Sequence, residues 1–197
     1  MKKAIIGSGG FGREVKALLL NNNPKYIIDF FVDDEYVDGI SKPLSILDIH
    51  EYEVIIAIGD PLTRERIYKK LPKETKYFTA IHKSVQILDN NIEIGEGSII
   101  CSNVILTTNI IIGKHSQLNL SSTIGHDTII GDFFTTAPGA KISGNCTIGN
   151  RVYFGTNSSV REKITICDDV TIGLNAGVVK NIDESGTYVG VPAKKIK

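Results

Sequence analysis

The sequence predicts an α/β domain over residues 1–80 followed by a parallel β-solenoid over residues 81–197. Three observations carry this. A six-residue apolar repeat runs from Leu88 to Val178 without a break. Residues 1–80 lack that repeat and alternate short apolar runs with helical patterns. Two of the short runs end in glycine, at Gly7 and Gly59, shortly before a helical pattern begins.

Stepping by six from Leu88 gives Ile94, Ile100, Leu106 and so on to Val178, and the only polar residue met is Thr136. Neither a helix of period 3.6 nor a strand of period 2 produces this. Two places before the large residue stand small or apolar ones such as Ser98, Ser116, Ala140 and Ala176, and the place after it is often glycine. One strand per six residues and three strands per turn make an 18-residue coil shaped like a triangular prism. Large residues fill its interior and stack on their equivalents about 4.8 Å away. Glycine and asparagine are expected at the corners, where they tolerate positive φ. Each coil buries little alone, so stability comes from stacking, and roughly five coils fit between residues 88 and 182.

In the first domain Lys3–Gly7, Ile27–Val32 and Val54–Ile58 read as buried strands, and the stretches after Gly7 and from Pro61 to Leu71 as helices. Phe11, Val15, Leu18 and Leu19 share one face of the first helix. Strand, glycine turn, helix, strand is a βαβ unit of Rossmann-like type. The turn Gly7-Ser8-Gly9-Gly10-Phe11-Gly12 satisfies GxGxxG, which sets backbone N–H groups and a helix N-terminus against phosphate oxygens. Asp33 or Asp34 follows at the distance from which a carboxylate holds a ribose hydroxyl. Glycines used only for close strand-to-helix packing would give the same pattern. A phosphate-bearing substrate fits better than NAD, because 80 residues give only one and a half mononucleotide halves and no hydride-transfer site follows.

Lys plus Arg equals Asp plus Glu at 22 each, which excludes the basic footprint of a nucleic-acid binder. No apolar run is long enough to span a membrane and no signal peptide is evident, so a cytoplasmic location is expected. Cys101, Cys146 and Cys167 lack CxxC spacing, so they are taken as reduced thiols and no metal is expected. Of the four histidines, His50 lies in a polar stretch, His82 at the domain junction, and His115 and His126 at solenoid corners. Of the two corner histidines, only His126 has an acid beside it, Asp127. A carboxylate on one imidazole nitrogen fixes the tautomer and leaves the other nitrogen free to take a proton. The pair is equally compatible with two ordinary polar corner residues.

The repeat, the Gly7–Gly12 loop, the Ile124-Gly125-His126-Asp127 corner and the closing Tyr188-Val189-Gly190-Val191-Pro192-Ala193-Lys194 together resemble one family. It is the left-handed β-helix (hexapeptide-repeat) acetyltransferases of bacterial glycan synthesis. The nearest branch contains the nucleotide-linked 4-amino-4,6-dideoxy-sugar N-acetyltransferases and the sialic acid O-acetyltransferase-like proteins. The resemblance covers essentially the whole chain, and left-handed coiling comes only from it.

The resemblance implies a homotrimer with active sites between neighbouring prisms, acetyl-CoA as co-substrate and a nucleotide-sugar held by the first domain. His126 aligns with the general base and Asp127 with the acid that orients it. Thr135, Gly144, Thr156 and Leu174 align with acetyl-CoA contacts, and Gly9, Gly10, Phe11, Asp33, Asp34 and Gly59 with the nucleotide-sugar pocket. Two positions depart from the pattern: Phe11 and Thr135 stand where the 4-amino-sugar enzymes tend to carry histidine. Phe11 cannot hydrogen-bond, and Thr135 cannot carry charge. N-acetylation of an amino sugar is therefore expected first, with O-acetylation of a sialic acid or other glycan sugar, or a non-catalytic sugar-nucleotide-binding solenoid, as the alternatives.

Overall fold

The structure, a computed structural model, describes residues 2–197. Its first part is a parallel sheet of β1 (Lys2–Ile6), β2 (Ile28–Val32), β3 (Ser41–Pro43) and β4 (Tyr52–Ile56), in the spatial order β3-β2-β1-β4. Helix α1 (Gly10–Asn22) joins β1 to β2, and α2 (Pro61–Lys70) follows β4. The strands are the Ile-, Val- and Phe-rich runs, buried at Ala4–Ile6, Phe30–Val32 and Val54–Ile56, as parallel strands covered on both faces must be. Val15, Leu18 and Leu19 turn the apolar side of α1 inward. Pro61 opens α2, and the Asp60 carboxylate accepts from the Thr63 N–H at 2.8 Å, capping its first turn. The glycine turn is shorter than the motif suggests: Gly10, Phe11 and Gly12 form the first turn of α1.

From Ala80 the chain becomes the solenoid. Strands of two or three residues pair in parallel with those one coil on, as in Gln117–Thr135–Tyr153. They form three faces. The docked face runs through Ala80–Ile81, Ile99–Ile100, Gln117–Leu118, Thr135–Thr136, Tyr153–Phe154 and Val170–Ile172. The second face contains Thr123–Ile124 and Lys141–Ile142, and the third Ile110–Ile112, Ile129–Ile130 and Thr147–Ile148. The large repeat residues from Ile100 to Val178 are buried as one column, flanked by buried Ser98, Ser116, Ser122, Ala140, Ser158 and Ala176. Thr136 is tolerated there because its hydroxyl accepts from the Asn119 N–H at 2.9 Å and bonds the Ser122 hydroxyl at 2.9 Å.

The structure corrects the repeat in two places. Leu88 is not a core position: it is 63% exposed, and Ile87 pairs with Leu106 instead. Because Ile94 pairs with Ile112, the first coil carries one extra residue between Ile87 and Ile94. The corner glycines also act differently from expectation. Every sixth residue from Gly97 to Asn175 has positive φ, mostly Asn, Asp or Gly. The glycines directly after the large positions, such as Gly131 and Gly155, do not. A Cβ at Gly155 would lie 2.7 Å from the backbone of Gly173, so these glycines serve coil-to-coil approach.

On the edge between the third and docked faces, the positive-φ positions are filled by His115, Phe133 and Arg151. Left-handed backbone at such bulky residues costs about 1 kcal/mol or more each. Contacts with the first domain offset it. The His115 ring is stacked on Phe133 (centroids 5.4 Å apart, planes at 7°) and lies edge-on to Tyr77 at 4.5 Å, with Tyr68 at 4.7 Å. Arg151 bonds Asp169 at 2.7 Å and approaches Glu65 of α2 at 3.6 Å.

The first domain covers the docked face, whose outward residues Ile99, Gln117 and Thr135 are all buried. One apolar cluster crosses the boundary, joining Ile5, Leu18, Phe30 and Ile55 to Ala80, Ile99 and Cys101. Arg64 of α2 is 0% exposed and stands at the centre of this seam. Its Nε donates to the His115 carbonyl at 2.8 Å, and Nη1 to the Ile58 and Gly59 carbonyls at 2.6 and 3.1 Å. Its Nη2 donates to the Phe133 and Phe134 carbonyls and the Thr135 hydroxyl at 2.7, 3.1 and 2.8 Å. Gln117 adds a bond from Nε2 to the Ile56 carbonyl at 2.9 Å. The end of β4 is thereby registered against the solenoid by polar contacts with fixed geometry.

Candidate active site

His126 stands on the edge between the second and third faces, in the turn joining Thr123–Ile124 to Ile129–Ile130. Its side chain is 55% exposed, and Nδ1 lies 2.7 Å from Asp127 Oδ2. A carboxylate only accepts, so the neutral imidazole carries its proton on Nδ1 and presents the Nε2 lone pair. The imidazole also holds the Asp127 carboxyl below the usual carboxylate range, with Asn109 assisting, so Asp127 stays ionised. Gly144 lies one coil on, directly beneath the ring: a Cβ there would be 2.5 Å from Nε2 and 2.7 Å from Cε1. Gly144 has no positive φ, so only this contact demands glycine. Gly144→Ala is expected to push the ring aside and lower turnover about tenfold with the melting temperature held within a few degrees. Kinetics and thermal unfolding of that variant check this.

A second cleft opens at the carboxyl ends of β1, β2 and β4. The order β3-β2-β1-β4 places its switch point between β1 and β4, where open parallel sheets bind ligands. The crevice, of about 120 Å³, is lined by Gly7, Asp33, Tyr36, Ile58, Thr63 and Arg66, among others. Gly7 (φ +109°) and Gly12 are structurally required, since a Cβ on Gly12 would strike the Gly7 carbonyl. Gly9, Gly10 and Gly59 are different: a Cβ on any of them would meet nothing within 4 Å. Arg13 folds over the turn, donating to the Ser8 carbonyl at 3.1 Å. Bare backbone, the start of a 13-residue helix and the cations Arg13 and Arg66 make a cradle of the kind that accepts phosphate.

Comparison with known proteins agrees with both halves. Residues 2–71 match the PglD N-terminal domain family. Over 175 residues the chain is 29% identical to GDP-perosamine N-acetyltransferase of Escherichia coli O157:H7, covering 81% of this chain and 78% of that one. The acetyltransferase domain of PglB from Neisseria gonorrhoeae FA1090, solved with acetyl coenzyme A, superposes with a TM-score of 0.88 at 27% identity, over 99% of this chain and 98% of that one. WeeI from Acinetobacter baumannii AYE is 32% identical over the full length of both chains, with a TM-score of 0.90. The chain belongs to the hexapeptide-repeat sugar N-acetyltransferase family.

As in that family, the solenoid is a left-handed β-helix behind a Rossmann-like domain. The positions that family resemblance assigns to acetyl-CoA are not gathered in one place. Thr156 and Leu174 are exposed on the edge between the docked and second faces, Leu174 at 72%. Gly144 is on the other edge of the second face, under His126. Thr135 corrects the expectation. It is 4% exposed on the docked face, and its hydroxyl donates to the Gly59 carbonyl at 3.0 Å while accepting from Arg64, so it belongs to the domain seam.

Two of the nucleotide-sugar positions have structural partners of their own. Phe11 is half-buried, and its ring packs against the apolar cluster shared by α1 and the docked face. Asp34 does not line the crevice: the Ser45 side chain first, and then the Ser45 N–H, which donates to Oδ1 at 3.1 Å, lower its pKa, and it lines another open concavity with Leu44 and Leu47. Asp33 lines the crevice and is held by Lys70 at 2.9 Å.

Other residues take structural places. His82 Nδ1 accepts from the Ser84 N–H at 3.1 Å, and His50 is exposed. His115 is fully buried, and burial beside Arg64 and Lys114 drives its pKa down to about 3, so it is neutral at physiological pH. Cys101 and Cys146 are buried free thiols, and burial pushes Cys101 up to about 12. Among the described residues, no three His, Cys, Asp or Glu side chains cluster as a metal site, and no helix is long and apolar enough to cross a membrane. Sequence reasoning missed Arg64, Arg66 and Asn109. Only Asn109 left a signal, its spacing of one 18-residue coil before Asp127.

Proposed function

We propose that the protein transfers acetyl from acetyl-CoA to the amino group of a nucleotide-linked 4-amino-4,6-dideoxy sugar, with His126 as general base. The observation that carries the reading is the His126–Asp127 pair, an oriented imidazole with Nε2 free on an exposed edge. Acetyl-CoA supplies the activated acyl group. The sugar amine attacks the thioester carbonyl as Nε2 takes its proton; the N–C bond forms, the C–S bond breaks, and the proton passes to the departing thiolate. Asp127 stabilises the imidazolium formed on the way. Base catalysis of this kind supplies roughly 10²–10⁴-fold, and alignment of the two substrates supplies more.

The first domain would seat the nucleotide diphosphate on Gly9, Gly10 and the start of α1, with Asp33 lining the neighbouring crevice and Gly59 following its lining residue Ile58. The division of Gly144 and Thr156/Leu174 between two prism edges favours a homotrimer. There the His126 edge of one copy faces the Thr156–Leu174 edge of the next, and acetyl-CoA touches both. Such substrates place the protein in the cytoplasm, where nucleotide sugars and acetyl-CoA occur together.

The test is release of free CoA thiol from acetyl-CoA with a panel of acceptors. The panel holds GDP-perosamine, the substrate in the name of the Escherichia coli relative, UDP- and dTDP-linked 4-amino sugars, their hydroxyl counterparts and sialic acids. Fast release with one amino sugar is expected. Release only with a hydroxyl sugar would move the reaction to O-acetylation, and failure to bind acetyl-CoA at all would leave a non-catalytic solenoid.

A further inference from the structure

The His126–Asp127 pair does not end at Asp127. The carboxylate uses Oδ2 on the imidazole, while Oδ1 accepts from Asn109 Nδ2 at 3.0 Å. Asn109 occupies the same corner one coil earlier, and its own Oδ1 accepts from Asn91 Nδ2 at 3.3 Å, one coil earlier again. Asn109 and Asp127 share left-handed backbone, at φ 51° and 57°, so their side chains leave the edge in parallel.

We propose that Asn109 is a positioning residue for the base: its amide pins the Asp127 carboxylate so that Oδ2 faces His126 Nδ1. The inference rests on the reading of His126 as that base. Its physical basis is the direction of each bond. A carboxylate only accepts, so Asn109 must turn its NH₂ toward Asp127 and its carbonyl back toward Asn91, which supplies a donor. The amide is therefore locked in one orientation. Asp127 is exposed, and nothing in its own turn holds Oδ1. Without Asn109 the carboxylate is free to rotate toward water, and the imidazole loses the partner that keeps its proton on Nδ1. The same bond helps keep Asp127 ionised, second to the bond from His126. The other charged groups on this edge are Asp89, whose carboxylate takes the Thr108 hydroxyl, Arg161, Glu162 and Lys163 in a later coil, and Lys180 in the last.

An asparagine ladder up a solenoid edge also stabilises stacked coils, so the experiment must separate the two roles. Asn109→Gly keeps the left-handed backbone at no steric cost and deletes the amide. Asn91→Gly deletes the neighbouring rung and leaves the Asn109–Asp127 bond in place. The first readout is the tautomer of His126, from the ¹⁵N shifts of its imidazole in the intact protein, which requires no turnover. The Nδ1–H form is expected to dominate in the wild type and in Asn91→Gly, and to give way to a mixture in Asn109→Gly. The second readout is kinetic. Asn109→Gly is expected to lower kcat about five- to twentyfold with both KM values within about twofold, whereas Asn91→Gly changes neither. An unchanged tautomer in Asn109→Gly overturns the proposal, and so do equal losses in the two variants. A wild type that holds the Nδ1–H form yet acetylates nothing would instead sink the functional reading and leave the positioning role standing.

Discussion

His126→Ala is expected to lower kcat at least 100-fold, at the lower end of what base catalysis contributes (about 10²–10⁴), with acetyl-CoA affinity and melting temperature nearly unchanged. The fold is expected to survive because the imidazole contributes nothing to the prism interior. It lies outside the edge, over Gly144, while the neighbouring core position, Ile124, is fully buried on its own. The backbone at residue 126 is not left-handed, so alanine fits it without strain. The bond from the Asn145 N–H to the residue 126 carbonyl at 2.7 Å is independent of the side chain. Turnover measured by thiol release and binding measured by calorimetry separate the two quantities. A variant that turns over like the wild type would remove His126 as the base and leave proximity as the main source of rate. Asp127→Asn should cost less, about tenfold, because asparagine also tolerates φ 57°. Its amide can still accept from Nδ1–H, but when flipped it donates, which stabilises the wrong tautomer.

How much of this could be seen in the sequence follows from which contacts are periodic. The prism interior is, because every sixth residue meets its equivalent one coil away, and a single polar residue such as Thr136 does not hide the pattern. Leu88 was assigned to the interior because periodicity alone cannot detect one extra residue in a first coil that has no neighbour before it. The glycines after the large positions were legible as glycines but not in their role. A close coil-to-coil approach and a left-handed turn select the same residue, and only the φ values separate them. The His126–Asp127 pair is visible as adjacent residues. Asn109 was visible only once the 18-residue coil was known to place it beside Asp127. The domain seam was not legible at all. Arg64 lies in Pro61-Leu62-Thr63-Arg64-Glu65-Arg66, which looks like a solvated helix face, and the carbonyls that hold it come from distant, unrelated positions. Thr135 was misassigned for the same reason: a non-periodic contact buries it.

Arg64→Met is expected to destabilise the protein by roughly 3 kcal/mol or more, and the balance of two opposed effects decides it. Burial, against a smaller opposing pull from Asp60, brings the guanidinium pKa down to about 9, so holding the cation there is costly. At about 1.4 kcal/mol per pKa unit, methionine would recover several kcal/mol of that desolvation. Against this, the bonds lost are those of a cation, at about 1.5–3 kcal/mol each, and they are shared among five carbonyls and one hydroxyl. Two of those carbonyls keep another donor: Phe134 takes the Gln117 N–H at 2.8 Å and Gly59 takes the Thr135 hydroxyl. Among the described residues those of His115 and Phe133, inside the buried seam, and of Ile58, at its half-buried margin, lose the only donor found for them. Replacing a buried ion by an apolar residue is neutral only when its partners are replaced with it, and backbone carbonyls cannot be. At about 2–4 °C per kcal/mol for a chain of this size, the melting temperature should fall by roughly 6–12 °C. Arg64→Lys, with three donors at one point in place of a planar fork, should fall between. Because Ile58, whose carbonyl Arg64 holds, lines the proposed sugar-nucleotide crevice, the same variants should raise the acceptor KM more than the acetyl-CoA KM. A melting temperature within about 2 °C of wild type for Arg64→Met would mean that the seam is held by its apolar cluster and the aromatic stack around His115, with the arginine contributing little.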